Sequence, residues 1–137
     1  MSTAIENLRA AQERAAAVRP KTGGFPYLAE ALRQAGVRTY HFTVPGNTSL
    51  YVTDAGPVAT QSAPIVDGMA DIAPWDEKSL VAAIRADQEG ATSYPEFVNG
   101  CWNAGVVHYE VDLAARTCTY HGALGDSYTE SYPHVSI

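Results

Sequence analysis

Sliding this chain along itself exposes its strongest constraint. At an offset of 69 residues, "FPYLAEALRQAGVRTY" at 25 to 40 falls on "YPEFVNGCWNAGVVHY" at 94 to 109, and the match runs on without a gap. Thr48 meets Thr117, Tyr51 meets Tyr120, Gly56 meets Gly125, and "TQSAPIV" at 60 to 66 meets "TESYPHV" at 129 to 135. Twelve of the forty-four pairs are identical, where chance gives about two or three. The pattern predicts a tandem duplication, with copy one over 1–68 and copy two over 69–137. At 137 residues with 46% apolar content, the copies have to share one core in a single domain.

Each copy carries the same order of signals. In copy one, Thr3 with Glu6 reads as a capping box. Ile5, Leu8, Ala11, Ala15 and Val18 then recur at helical spacing until Pro20 forbids continuation. A second helix opens around Pro26 and closes at Gly36. In copy two, Asp76 caps a helix through Leu80, Val81 and Ile84, and Ser93 with Glu96 boxes a helix from Pro95 to Gly105. After each "AGV" the apolar period switches to two, which predicts a β-meander. The expected strands cover 38–44, 49–54 and 57–61, then 106–112, 117–121 and 127–131. The predicted fold is therefore α+β: an α-α-β-β-β unit twice over, with a pseudo-two-fold relation, an antiparallel sheet and the helices on one face.

If Asp112 and Thr117 flank a turn, antiparallel register sets Tyr109 opposite Tyr120, Glu110 opposite Thr119 and His108 opposite His121. The same register in copy one sets Tyr40 opposite Tyr51. The tyrosine face, with Phe42, Val111 and Leu113, is the apolar one and should lie against the helices. The other face carries Thr39, His41, Thr43, Thr48, Leu50 and Val52 in copy one. In copy two it carries His108, Glu110, Asp112, Thr117, Thr119 and His121. Only copy two gathers ionisable groups there.

His108, Glu110 and His121 are the candidate ligand face. Two histidines and a carboxylate suit a divalent metal, or a proton-transferring pair near neutral pH; an ordinary solvated sheet face needs no ligand at all. His41, Asp112, Arg85 and Asp87 are secondary candidates. Asp112 is expected to shape its turn by accepting backbone N–H groups. Asp87 and Glu89 place negative charge at a helix C-terminus, which the dipole disfavours, so Arg85 or the free N–H groups near Ser93 are expected to offset them. Cys101 aligns with the inward Leu32 and reads as an inert core thiol, and Trp102 reads as packing of a short helix. No phosphate-binding glycine loop, nucleophile elbow or zinc-protease helix motif occurs, no catalytic residue is named, and no cofactor is expected.

Charge narrows the partner. Residues 1–69 hold six Lys/Arg and five Asp/Glu, and residues 70–137 hold three and ten, so halves of +1 and −7 make up the net charge of −6. Nucleic acid and anionic membranes both require a concentrated positive field, which is missing. The first eighteen residues carry no apolar run of signal-peptide or membrane-span type, and a cytoplasmic protein is expected. Cys101 and Cys118 form no CxxC pair, which argues against a disulfide framework or a structural zinc.

The run from "RADQEGATSYPEFVNGCWNAGVVHYEVD" to "YTESYP", together with "RPKTGGFPYLAEALRQAGV", resembles the YbcV-like bacterial family. That is a domain-of-unknown-function group, some of whose members are labelled phage envelope proteins. The residues that carry the resemblance are Asp87, Gln88, Gly90, "AGV" at 104 to 106, Asp112, Arg116 and "YTESYP" at 128 to 133. The resemblance implies a small bacterial protein of prophage ancestry and transfers no catalytic residue. The function expected is a non-enzymatic binding or interaction module that self-associates as a homodimer, its ligand a small molecule or a protein. The alternative is a small hydrolase or isomerase, metal-dependent or not, working through His108, His121 and Glu110.

Overall fold

A computed structural model describes residues 2–137. The chain forms α1 (Thr3–Val18), α2 (Phe25–Gln34), β1 (Val37–Thr43), β2 (Thr48–Thr53) and β3 (Gly56–Gln61). It then forms α3 (Glu77–Gln88), α4 (Tyr94–Asn103), β4 (Val106–Asp112), β5 (Thr117–Gly122) and β6 (Ser127–Ser131). This is the α+β class that the two periodicities predict, and every strand boundary lies within one residue of its expected place.

The helix signals act mostly where they were read. Asp76 accepts from the Ser79 N–H at 3.1 Å. At α4 the Ser93 hydroxyl accepts from the Glu96 N–H while the Glu96 carboxylate accepts from the Ser93 N–H, a complete capping box. At α1 the expectation fails by one position. Ser2 is the N-cap and accepts from the Ile5 N–H at 3.2 Å, while Thr3 is already helical. Two adjacent hydroxyl residues offer two caps, and the inward stripe of Ala4, Leu8, Ala11 and Ala15 selects the one that starts the helix a turn position earlier. The alanines of that stripe let α1 approach α2 closely, where Ala29, Ala31 and Leu32 are buried.

All six strands form one antiparallel sheet in the order β3-β2-β1-β4-β5-β6. Within each meander the register is the one the turns dictate: Tyr40 faces Tyr51, Tyr109 faces Tyr120, and His108 faces His121. The seam between the meanders is the β1–β4 pair, in which His41 lies against Glu110, its own counterpart at the offset of 69. Two further bonds extend the seam: Val44 N–H donates to the Val107 carbonyl at 2.9 Å, and Leu113 N–H to the Arg38 carbonyl at 3.0 Å.

Each strand that enters the seam carries a bulge, at Arg38 in β1 and at Val107 in β4. The bulge lets Val37 and Tyr40, and likewise Val106 and Tyr109, turn inward together although they are three residues apart. The inward face joins Leu80, Ile84, Phe97 and Cys101 from the helices in one core. Fully burying a side chain such as Leu32 or Leu80 contributes about 1.5–3 kcal/mol. Across that face Phe42, Tyr109 and Tyr120 stand in register, with ring centroids 5.1 and 5.4 Å apart. The helices cover this face of the sheet, and the other is left open.

Candidate functional site

Three cross-strand rows make up the open face. The middle row runs Ala59, Leu50, His41, Glu110, Thr119, Thr129 from β3 to β6. On one side of it lie Gln61, Thr48, Thr43, His108, His121 and Ser127. Alternation along each strand puts all these side chains outward because Tyr40, Phe42, Tyr109, Val111, Cys118 and Tyr120 are held inward by the core.

Glu110 is the centre of the charged group. Its Oε1 accepts from His121 Nε2 at 2.9 Å, and because a carboxylate only accepts, the His121 ring carries a proton on Nε2. Its Oε2 lies 3.6 Å from His41 Nδ1, too far for a hydrogen bond but close enough to attract a protonated imidazole. His108 completes the cluster by stacking on His121, the ring centroids 4.5 Å apart and the planes 14° from parallel. Burial lowers the pKa of His108 below the usual histidine value. The neighbouring His121 and, more weakly, His41 push the same way, and Glu110 opposes them.

The structure thus brings His108, Glu110 and His121 together, and adds His41 from the other meander. The other secondary candidates lie apart. Asp112 shares the face, but its Oδ1 accepts from the Ala114 and Ala115 N–H groups at 3.1 and 3.0 Å, the turn role expected of it. Arg85 is on the helix side, where its Nη2 meets Glu130 Oε1 at 2.6 Å. It therefore does not offset Asp87 as expected, and the α4 N-terminus is already occupied by Ser93 and Glu96. Asp87 is half-buried, and that burial raises its pKa against the pull of Arg19, while Glu89 is exposed.

The cluster stands on the surface and not in a cleft: side-chain exposure is 43% for His41, 42% for Glu110 and 28% for His121. Two surface depressions lie elsewhere, one at the Arg38 end of the seam and one between α1 and α2, and neither is lined by His108, Glu110 or His121. Among the described residues no group of three or more His, Cys, Asp or Glu side chains is arranged to hold a metal ion. Cys101 and Cys118 are buried, and burial pushes each thiol up to about 12, so neither supplies a thiolate near neutral pH. Trp102 packs against the core.

Sequence reasoning placed His41 in the second rank because nothing local says which strands join the two meanders. The repeat itself holds the missing signal. Antiparallel pairing of two matching segments sets one residue opposite the residue it aligns with, and at an offset of 69 His41 aligns with Glu110, which it faces in the β1–β4 pair.

No helix among the described residues is long and apolar enough to cross a membrane. Comparison with known proteins gives a family without an assigned activity. Residues 12–130 match the family described as "Protein of unknown function (DUF1398)". The uncharacterized protein Mb2035 of Mycobacterium bovis is 51% identical over 135 residues, covering 98% of this chain and 82% of its own length. The uncharacterized protein Rv2012 of Mycobacterium tuberculosis matches with the same figures, 51% over 135 residues. With a match over most of its length and relatives at this identity, the chain belongs to the DUF1398 family.

Proposed function

We propose that this protein is a small cytoplasmic binding module that self-associates through the open face of its sheet. The observation that carries the reading is the position of Glu110. It stands in the middle row of an otherwise threonine-rich face, 2.9 Å from His121 and 3.6 Å from His41, with the exposed apolar side chains of Leu50 and Val52 beyond. A two-fold axis parallel to the strands, between His41 and Glu110, lays the face of a second copy on the first with the row order reversed. Each Glu110 then meets the partner copy's His41, and each Leu50 meets a threonine methyl. Such a face is self-complementary in the order of its charged and apolar side chains.

We further infer that the domain consists of two copies, 1–68 and 69–137, derived by duplication. The paired bulges support this, as do the left-handed turn residues Asn47 (φ 52°) and Arg116 (φ 56°), which correspond at the offset of 69. A prophage origin, implied by the YbcV-like resemblance, is compatible with a module of this size.

A hydrolase or isomerase is the second reading. It is favoured by the His121–Glu110 contact, since a carboxylate that orients an imidazole is the arrangement of a general base. Nothing walls the pair off from water, and enzymes place such groups in concave sites.

Sedimentation equilibrium separates module from monomer. Leu50 is 45% exposed, so Leu50→Arg leaves folding intact. Wild type is expected to dimerise at micromolar concentration and Leu50→Arg to remain monomeric. A monomeric wild type, or dimers of equal strength in both, contradicts the reading.

A further inference from the structure

The depression at the Arg38 end of the seam is unlike the rest of this acidic chain. It has a volume of about 640 Å³, within the size range of small-molecule sites, and it gathers three of the chain's nine Lys/Arg side chains together with His134. Arg33 and Arg38 are neutralised locally. Arg33 donates from Nε and Nη2 to the Glu30 carboxylate at 2.9 and 2.7 Å, and Arg38 Nε meets Asp54 Oδ1 at 2.6 Å. Among the described residues Arg116 is paired with no carboxylate. The Asp112 beside it is engaged by the N–H groups of its own turn.

Arg116 also holds an unfavourable backbone position. Its φ is +56°, a left-handed conformation that suits asparagine or glycine, and at the corresponding turn of the first meander the residue is Asn47. The turn would form more easily with asparagine at both places. A left-handed arginine in the lining of a depression therefore points to a use for its guanidinium.

We propose that this cavity binds a small organic carboxylate, with Arg116 as the residue that receives the anionic group. Once the two local pairs are discounted, Arg116 is the cation left without a carboxylate partner among the described residues: His134 Nε2 lies 4.0 Å from Glu30 Oε2, and Asp112, in the same lining, is engaged by its own turn. One such cation matches a singly charged carboxylate and not a doubly charged phosphate, which needs a denser set of donors. Gly36 and the exposed methyl of Ala114 line part of the remainder and accept an apolar body. The guanidinium fork matches the two oxygens of a carboxylate, and the Thr39 hydroxyl, also in the lining, supplies a further donor. The site does not include the histidine cluster, although Thr39 and Asp112 in its lining belong to the row of the open face next to His41 and Glu110.

The test uses benzoate as probe, with neutral benzamide and inorganic phosphate as controls, followed through the backbone amide spectrum of the whole protein by NMR. Benzoate is expected to shift the Thr39, Ala114 and Arg116 amides saturably. Benzamide and phosphate should each bind at least about tenfold more weakly, since neither offers a singly charged fork acceptor on an apolar body. Arg116→Asn is the decisive variant because asparagine suits the turn: the melting temperature should hold or rise while benzoate binding falls at least about tenfold. No saturable shift, equal binding of benzamide or phosphate, or unchanged benzoate binding by Arg116→Asn overturns the proposal.

Discussion

His108 is the residue whose protonation the fold opposes most clearly on the open face. Burial and two histidine neighbours hold its pKa below the usual value of 6.5. A lowered folded pKa means that the unfolded chain takes up the proton first as pH falls. The stability His108 contributes is complete above pH 6.5 and is lost as pH falls from there through the folded pKa. His108→Thr, which installs the residue of the corresponding position Thr39, should flatten the dependence of melting temperature on pH below 6.5. Thermal melts from pH 8 to about 5 check this; curves of equal slope for variant and wild type count against it. At this scale the sequence was partly legible. The outward direction of His108, Glu110 and His121 follows from alternation against buried tyrosines, and Asp112's turn role follows from its short side chain. The Arg85–Glu130 pair was not legible, because it joins residues 45 positions apart whose meeting depends on how α3 lies on β6.

Among the elements, the turns hold the sharpest contrast. Gly36 and Gly105 both end a helix and open a strand with positive φ, +93° and +89°. A Cβ on Gly36 would meet nothing nearer than Asp54 Oδ2 at 3.4 Å, an ordinary contact with a movable side chain. On Gly105 it would lie 2.8 Å from the Pro74 carbonyl and 2.9 Å from that of Ala73, both backbone atoms of the segment leading into α3. That segment is pinned there by the Asp76 N–H, which donates to the Ala104 carbonyl at 2.9 Å. Gly36→Ala should therefore lose about 1–2 kcal/mol from the left-handed conformation alone, and Gly105→Ala about 2–4 kcal/mol because backbone must also move. Chemical denaturation measures both, and equal losses would contradict the packing explanation. Helices, strands and register were readable here because caps, prolines, glycines and the change of period are local signals. The α1 cap was misplaced by one residue because Ser2 and Thr3 are chemically equivalent for the purpose, and only the burial of Ala4 and Leu8 distinguishes them.

Across the whole molecule, two meanders join edge to edge and a single layer of helices covers one face of the resulting sheet. The seam was the part that local signals could not supply: β1 and β4 lie 69 residues apart, and no turn connects them. It is also the part on which both proposals rest, since it sets His41 beside Glu110 and ends at the arginine-lined depression. The open face is the one large surface of the sheet without a layer of its own, and its middle row is complementary to itself when reversed.

A charge swap across that row tests self-association most directly. Glu110→Lys should place lysine opposite the partner copy's histidine, and His41→Glu should place glutamate opposite the partner copy's Glu110, so each variant alone repels its own kind. Both positions are more than two-fifths exposed, which lets either variant fold. Mixed in equal amounts, the two restore opposite charges at both contacts. Sedimentation equilibrium should find each variant monomeric where wild type is dimeric, and the mixture dimeric again. Variants that dimerise alone as wild type does, or a mixture that stays monomeric, would contradict the assignment of the open face as the surface through which this protein associates.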